Sequence, residues 1–277
     1  MPVVALTQEM GSLAKDVAEA LANDLGLATM RHEVVDHVAD KMRVSRSLIN
    51  RLREGKAGTI ERLTADRDSM AVYTAEEVLD IATRGNVVLR GWGATCLLRP
   101  VPHVVCVRVT RPFAQRVAWL MAHLDTDDAE FAAAEIRRSD HAHSSRMHAQ
   151  FGVTWGDPLL YDMVLNTDRL SVDSCVAQIR TAVARPEFAE TAASRALLQA
   201  MALQARIRAA LRADARTHEV NVTIDSAGGR VVLRGIVLSA GELAATGEVT
   251  AAVPGVSAVD NQLRVMATSR LFPSARA

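Results

Sequence analysis

The stretch Pro2–Leu21, PVVALTQEMGSLAKDVAEAL, decides the fold of the first part of the chain. Its opening residues are apolar and partly β-branched, which indicates a buried strand. From Ala14 to Leu25, apolar residues recur at helical spacing, and Gly26 follows as a helix end. Gly11 lies in the short segment between the two. The sequence therefore predicts a β-strand, a tight turn and an α-helix in that order.

The turn is an altered copy of a phosphate-binding loop. The motif G-x-x-x-x-G-K-[ST] uses glycines so that backbone N–H groups surround phosphate, a lysine to reach the β and γ oxygens, and a hydroxyl to bind Mg²⁺. If Ala14 stands for the last glycine, Lys15 takes the place of the lysine. Glu9 then replaces the first glycine and Asp16 replaces the hydroxyl residue. An alignment without gaps instead puts Ala14 at the lysine position.

Those two alignments place the Lys15 ammonium on different faces of the helix, because one residue rotates a helix by about 100°. A phosphate-binding Lys15 and a solvated Lys15 therefore both stay open. In either alignment the backbone N–H groups of residues 11–14 meet an anion at the amino end of the helix. The turn thus predicts at least weak phosphate binding.

Composition limits the class of protein. The chain has 277 residues, of which 49% are hydrophobic and 23% charged, enough for one large core or two smaller ones, and two domains are expected. The formal net charge is zero, so no overall field attracts nucleic acid. The three cysteines are far apart and are expected to be buried free thiols, as in a reducing compartment. Without a signal peptide or a long apolar span, a cytoplasmic protein is expected.

Strand and helix patterns alternate through the first two thirds of the chain. Short, almost wholly apolar runs predict strands at 86–89, 104–109 and 162–165. Helical patterns cover 32–41, 45–52, 74–83, 112–124, 127–148 and 172–183. This alternation predicts an α/β domain over residues 1–184, a doubly wound parallel sheet with helices on both faces.

The pattern changes after a proline-containing linker at 185–195. Helical spacing at 197–211 is followed by alternating strands at 220–224 and 231–235, joined by the turn Gly228-Gly229. A helix at 241–252 and a strand at 259–265 complete an αββαβ unit. A small α+β domain is therefore expected over 196–268, with a tail at 269–277.

Four ordered segments resemble the cytidylate kinase-like family, relatives of bacterial CMP kinase. They are the opening stretch, NVVLRGWGATCLLRPVPHVVCVRV, EIRRSDHAHSSR and WGDPLLYDMVLNTDRLS, together spanning roughly the first 180 residues. The third resembles the family's lid, R-D-x-x-D-S-x-R, and the fourth its D-x-x-[LI]-[ND]-T-x-x-L-S. The resemblance implies a P-loop nucleoside monophosphate kinase fold that uses ATP, Mg²⁺ and CMP or a similar acceptor.

The resemblance also assigns roles to residues. Catalytic and lid roles fall on Lys15, Arg138, Asp140 and Arg146. ATP-binding roles fall on Gly11, Ser12, Leu13, Ala14, Lys15, Asp16, Asn166 and Thr167. Acceptor-binding roles fall on Arg90, Gly91, Trp92 and Gly93.

Two of these positions depart from the family. Trp92 stands where the family has an arginine that holds the acceptor phosphate, so Trp92 either stacks on a base or is simply packed, and Arg90 or Arg99 supplies the charge instead. Ser139 stands where the first lid arginine is expected, next to Arg138. The lid arginines therefore either close onto phosphate or remain surface residues.

Histidine clusters give weaker signals for metal. His32 and Asp36 have the i, i+4 spacing of the H-E-x-x-H motif but lack its second histidine. His141, His143 and His148 are close in sequence, but neighbours two apart point to different sides of a helix. No metal site is expected from either group.

The C-terminal segments EVNVTIDSAGGRVVLRGIVLSAGE and AAVPGVSAVDNQLRV resemble a BON domain, whose V-x-L-x-G and G-V-x-x-V-x-N patterns they carry. The resemblance implies binding of phospholipid, a small ligand or a protein partner, and no catalytic group. Arginines at 206, 208, 212 and 216 form a basic stripe that either meets such a partner or is solvated.

Three functions therefore stay open. The first is a nucleotide-binding phosphotransferase with the BON-like domain as a regulator or recruiter. The second is a catalytically inactive nucleotide sensor that signals through that domain. The third is a lipid or partner adaptor in which the α/β domain only packs.

Overall fold

The computed structural model describes residues 1–30 and 33–266, apart from the side chain of Arg62. It divides into two compact units, Met1–Leu198 and the residues from Gln199 onward. The expected helix start at His32 and the expected tail at 269–277 lie outside the described residues.

The first unit is built on a parallel five-stranded sheet in the order β2-β3-β1-β4-β5. Val4 in the central strand pairs with Val88 on one side and Val105 on the other, and all three are buried. The strands are β1 (Val3–Gln8), β2 (Ala28–Thr29), β3 (Val87–Arg90), β4 (Val104–Thr110) and β5 (Met163–Asn166). The predicted doubly wound parallel sheet is confirmed.

Helices cover both faces of this sheet. The helices are α1 (Ala14–Leu25), α2 (Glu33–Met42), α3 (Arg46–Glu54), α4 (Thr59–Thr64), α5 (Arg67–Arg84), α6 (Ala94–Leu97), α7 (Phe113–Leu124), α8 (Ala129–Phe151) and α9 (Val172–Val183). One core joins α1 and α9 to the sheet, with Leu21 and Ile179 fully buried against Leu6 and Val107. On the other face α5 contacts β3, and α6 contacts β1.

Two helices differ from the sequence patterns because of their caps. Helix α5 begins at Arg67, seven residues before the predicted start, because the Asp66 carboxylate accepts a hydrogen bond from the Ser69 N–H at 2.9 Å. Helix α4 was not predicted, and its N-cap Gly58 donates its N–H to Glu61 at 3.0 Å. Helix α9 has the predicted bounds, with Ser171 as its cap.

The second unit is an αββαβ arrangement, as predicted. Its elements are α10 (Ala192–Ala213), β6 (Thr223–Ala227), β7 (Arg230–Val237), α11 (Ala240–Ala251) and β8 (Ala258–Val265), and the boundary between the units falls within α10. Strand β7 pairs antiparallel with β6 and parallel with β8. Gly228 and Gly229 make the hairpin turn at φ +55° and +84°, a conformation that favours glycine. Ile207, Val231 and Leu233 lie at the centre of the core.

The described helices differ in length and in apolar composition. None of them combines the length and the apolar composition needed to cross a bilayer.

Candidate functional site

The turn between β1 and α1 has the backbone geometry of an anion site. Gly11 and Leu13 adopt left-handed conformations at φ +79° and +62°, and Leu13 is the N-cap of α1 without a side-chain cap. A non-glycine residue in this region costs about 1 kcal/mol or more, so the chain tolerates strain at this turn. Among the described residues, no acceptor is bonded to the N–H groups of Leu13 and Ala14. Successive free N–H groups of this kind favour an anion.

The side chains around this turn are less suited to binding phosphate than its backbone is. Lys15 is exposed on α1 and forms no ion pair with a described carboxylate, and Asp16 beside it is also exposed. The Ser12 hydroxyl is buried and has no hydrogen-bond partner among the described residues. The turn therefore offers phosphate a buried hydroxyl and backbone N–H groups, with a single exposed lysine nearby.

The loop after β5 lies against this turn. The Thr167 hydroxyl donates to the Ser12 carbonyl at 2.8 Å, and Thr167 is buried. The Asn166 side chain accepts from the Asp168 N–H at 3.0 Å, a local turn bond. The structure thus brings Thr167 to the turn, whereas Asn166 stabilises its own loop.

A second strained turn follows β3. Gly91, Trp92 and Gly93 have three consecutive left-handed φ values of +81°, +59° and +70°. A Cβ atom on Gly93 would lie 2.7 Å from the Phe151 ring, so both conformation and space require glycine there. Arg90, just before the turn, donates to the Gln8 side chain at 2.8 Å. The tight turn places the Trp92 indole inside the protein, where it is 8% exposed.

A cavity of about 490 Å³ lies beside this second turn, between α3, α5 and α8. Its apolar lining residues are Leu52, Met70, Trp92 and Met147. None of residues 11–16 lines the cavity. Its charged lining residues are Arg53, Asp66, Arg67, Asp68, Arg138 and Arg146. This size and mixture are typical of small-molecule pockets.

Two arginines at the cavity have no carboxylate partner among the described residues, although buried arginines usually have one. The Arg53 guanidinium lies over the Trp92 ring at 4.2 Å from its centroid, and Arg146 donates to the Arg53 carbonyl at 2.8 Å. Neither forms an ion pair with a described carboxylate. Burial, together with the neighbouring charges of Arg146 and Arg90, lowers the pKa of Arg53 from 12.5 to about 10. Burial lowers the pKa of Arg146 as well. The cavity therefore carries excess positive charge that an anion would neutralise.

His143 lies beside these cations as a neutral imidazole. Its ring packs against Trp155 with centroids 4.2 Å apart, and it lines the cavity. Burial, followed by the charges of Arg146, Arg53 and Arg108, lowers the pKa of His143 from 6.5 to about 3. An uncharged ring can donate one hydrogen bond and accept another.

This burial makes stability pH-dependent. Because the folded-state pKa of about 3 lies below the unfolded value of 6.5, the unfolded chain binds the extra proton between these values. Stability is therefore expected to fall as pH decreases through this window, by up to about 1.4 kcal/mol per pH unit from this residue. We expect His143→Gln to show a shallower decline than the unaltered chain in urea unfolding at pH 7, 6, 5 and 4. The exposed His148→Gln serves as the control, and equal slopes for all three proteins would refute a neutral buried His143.

The remaining lid residues are engaged within the protein. Asp140 on α8 accepts two hydrogen bonds from the Arg116 guanidinium, at 3.0 and 2.9 Å, and does not line the cavity. Arg138 lines the cavity but pairs with Glu135 on its own helix. Arg99 pairs with Asp162 at 2.7 Å. Neither Arg99 nor Arg90 lines the cavity, but the charge of Arg90 acts on Arg53.

Sequence reasoning missed Arg53 and Arg108. Arg53 is one of several arginines in the amphipathic helix α3, and nothing local distinguishes it. Arg108 is buried in the apolar strand β4, where an arginine needs a partner, and that signal was available in the sequence. Its Nη2 donates to the Glu9 carboxylate at 2.6 Å.

Two side chains of the first turn disfavour Mg–ATP. In the alignment that puts Lys15 at the lysine position, Glu9 and Asp16 stand at the first-glycine and hydroxyl positions, where a working loop has groups that hold phosphate oxygens and the metal. Gly11 is also covered, since a Cβ atom there would lie 3.1 Å from the Trp119 ring. Backbone N–H groups remain for a single phosphate group.

Comparison with known families assigns both parts of the chain. The model of the cytidylate kinase-like family matches residues 3–169, and that of the BON domain matches residues 201–267. No curated protein matches the chain significantly.

Several solved structures align with about two thirds of this chain. An uncharacterized protein from Eubacterium ventriosum ATCC 27560 aligns over 67% of this chain and 100% of its own, at 16% identity and a TM-score of 0.52. Shikimate kinase from Acinetobacter baumannii in complex with shikimate aligns over 66% and 93%, at 12% identity and a TM-score of 0.41. A gluconokinase from Sinorhizobium meliloti 1021 aligns over 67% and 93%, at 13% identity and a TM-score of 0.45.

Proposed function

The chain belongs to the cytidylate kinase-like family, and on that premise we propose that it binds a nucleoside monophosphate, CMP or a similar one, in the cavity between α3, α5 and α8. The observation that carries the proposal is the pair Arg53 and Arg146, two largely buried guanidinium groups at one cavity without carboxylate partners among the described residues. A phosphomonoester supplies two negative charges and oxygens that match the guanidinium fork.

The rest of the cavity suits the remainder of a nucleotide. Trp92 and Met70 line the cavity with apolar atoms against which a base or sugar packs. Thr74 and the neutral His143 line the same space and offer polar contacts. In this proposal Arg90 and the glycine turn around Trp92 form the acceptor side of the site.

Phosphoryl transfer from ATP is the second candidate. The free N–H groups of Leu13 and Ala14 and the unpartnered Ser12 hydroxyl favour it, because they offer a phosphate contacts at the amino end of α1. The carboxylates of Glu9 and Asp16 oppose it, since catalysis of this transfer depends on positive charge around the moving group. ATP and Mg²⁺ as cofactors, and catalytic roles for Lys15, Arg138, Asp140 and Arg146, therefore stay predictions. We favour a nucleotide sensor.

We propose that the BON domain recruits or regulates through a protein partner rather than through acidic lipid. Its arginines are already engaged: Arg206 donates to the Pro254 carbonyl at 3.2 Å and Arg212 to the His218 carbonyl at 2.9 Å. Arg216 forms ion pairs with Asp214 and Glu248. Carboxylates therefore offset the charge of Arg216, and bonds to backbone carbonyls occupy some of the donors of Arg206 and Arg212. Co-sedimentation with phosphatidylserine vesicles at 150 mM salt (roughly physiological) is expected to leave the protein in the supernatant.

Calorimetric titration of the full chain with CMP, cytidine and inorganic phosphate tests the main proposal. We expect CMP to bind at micromolar concentrations and cytidine at least about 100-fold more weakly, because charge-assisted hydrogen bonds to the phosphate are lost. A coupled assay with CMP and Mg–ATP is expected to show no turnover for a sensor, and turnover would select the phosphotransferase. Equal affinities for CMP and cytidine would refute the phosphate site at Arg53 and Arg146.

A further inference from the structure

The Glu9 carboxylate is held at the first turn by groups from β4. One oxygen accepts from Arg108 Nη2 at 2.6 Å, and the other accepts from the Thr110 hydroxyl at 2.7 Å. The Arg111 N–H donates to the second oxygen at 3.4 Å. The carboxylate is only 11% exposed, so these bonds replace most of its hydration.

Helices α7 and α8 are attached to the same carboxylate through Arg116. Arg116 on α7 is 7% exposed, and its Nε lies 3.6 Å from Glu9 Oε2. Its two terminal nitrogens both donate to Asp140 on α8. One arginine therefore lies between a carboxylate of the turn and a carboxylate of the lid helix.

Apolar contacts hold α7 over the turn at the same place. A Cβ atom built on Gly11 would lie 3.2 Å from the Arg116 backbone as well as close to Trp119. Met10 packs against the buried cluster of Leu120, Ala132 and Ile136, which joins α7 to α8. The turn is thus packed directly beneath the helix pair.

The charges of this group cancel. Glu9 and Asp140 are negative, and Arg108 and Arg116 are positive. Each arginine forms an ion pair with a carboxylate of the chain. An incoming triphosphate would meet the Glu9 carboxylate at the turn, and the two arginines of this group already contact carboxylates of the chain. A phosphate next to the Glu9 carboxylate would bring two negative charges together in partly buried surroundings, and their repulsion weakens binding of the phosphate strongly.

We propose that Glu9 is an internal counter-anion: its carboxylate replaces the triphosphate of a ligand at this turn and fastens α7 and α8 to it. The turn then acts as a structural junction, and removing the charge restores affinity for triphosphate. This inference is independent of the cavity at Arg53 and Arg146, which none of residues 9–16 lines.

Titration of ATP into the full chain and into Glu9→Gln and Glu9→Gly tests the inference, with thermal unfolding measured on each protein. Both variants are expected to bind ATP at least about tenfold more tightly than the unaltered chain, because a like charge is gone. Both are also expected to unfold at lower temperature, since Arg108 loses a hydrogen-bond acceptor and Arg116 loses a neighbouring carboxylate. Glu19→Gln, an exposed carboxylate on α1, controls for overall charge and is expected to change ATP affinity less than about twofold.

The Asp140→Asn variant distinguishes the effect of the Glu9 charge on ATP binding from the effect of the Arg116–Asp140 contact that holds α7 to α8. It frees Arg116 from α8 but keeps the Glu9 carboxylate, so faster amide exchange in α7 with unchanged ATP affinity is expected. The inference is overturned if either folded Glu9 variant binds ATP no better than the unaltered chain, or if Asp140→Asn improves ATP binding equally. CMP titration of the same proteins reports on the cavity separately, so a failure of the proposed function is distinguishable.

Discussion

Replacing Arg53 by methionine is expected to weaken CMP binding by about 100-fold while making the ligand-free protein more stable. Binding weakens because a charge-assisted hydrogen bond to phosphate is worth about 1.5 to 3 kcal/mol, and Arg53 offers two donors in one plane. Stability rises because the charged Arg53 is destabilising in the empty cavity. Its pKa of about 10, against an ordinary 12.5, corresponds to about 3 kcal/mol.

The expected gain in stability of the Arg53→Met variant is smaller than this electrostatic cost of burying Arg53. Methionine keeps the bulk of the side chain but loses the stacking of the guanidinium on Trp92, so we expect an increase of about 1 to 2 kcal/mol in the free energy of unfolding. Calorimetric titration and urea unfolding at pH 7.5 measure the two effects. Opposite changes in affinity and stability are typical of a binding residue that the fold itself does not need.

Arg99→Met is the matched control. Arg99 pairs with Asp162 and lies outside the cavity lining, so its loss is expected to leave CMP affinity unchanged and stability unchanged or slightly lower. If Arg53→Met instead lowered the stability and kept the affinity for CMP, Arg53 would be a structural residue and the cavity would not be a phosphate site.

Much of the fold follows from local sequence signals. The apolar run after Pro2 makes the central strand β1, and the turn at Gly11 leads into α1, which ends at Gly26 in a left-handed conformation. Helix α9 has the bounds that its apolar spacing predicted, and Ser171 caps it. Each of these features depends on residues within a few positions of one another, and so the sequence pattern was sufficient.

The candidate site depends on residues far apart in the chain, and this is where sequence reasoning fell short. The bond between Glu9 and Arg108 joins positions 99 residues apart, and Arg146 reaches the Arg53 carbonyl across 93. Neither the spacing of apolar residues nor a helix cap in the sequence indicates that residues so far apart are in contact. Trp92 was recognised as a departure from the family pattern, but its stacking partner Arg53 became visible only in the folded structure.

Replacing Gly55 by alanine is expected to cost about 2 to 4 kcal/mol of stability and to weaken CMP binding. Gly55 ends α3 at φ +72°, and a Cβ atom there would lie 2.8 Å from the Ala142 Cβ on α8. The alanine therefore adds overpacking, typically about 1 to 3 kcal/mol, to a conformational strain of about 1 kcal/mol. Because both contact residues are part of the cavity lining, separating α3 from α8 also separates Arg53 from Arg146.

The Gly152→Ala variant measures the cost of the left-handed backbone conformation alone, without the steric clash that alanine causes at position 55. Gly152 ends α8 at φ +67°, nearly the same backbone conformation, but a Cβ atom there would meet no atom of the described residues within 4 Å. We expect this control to lose only about 1 kcal/mol and to keep its CMP affinity. Urea unfolding and CMP titration of both variants measure the difference. Equal losses of stability would mean that α3 and α8 are not in contact in solution, and the arginine pair would then lack the enclosed space in which a phosphate is expected to bind.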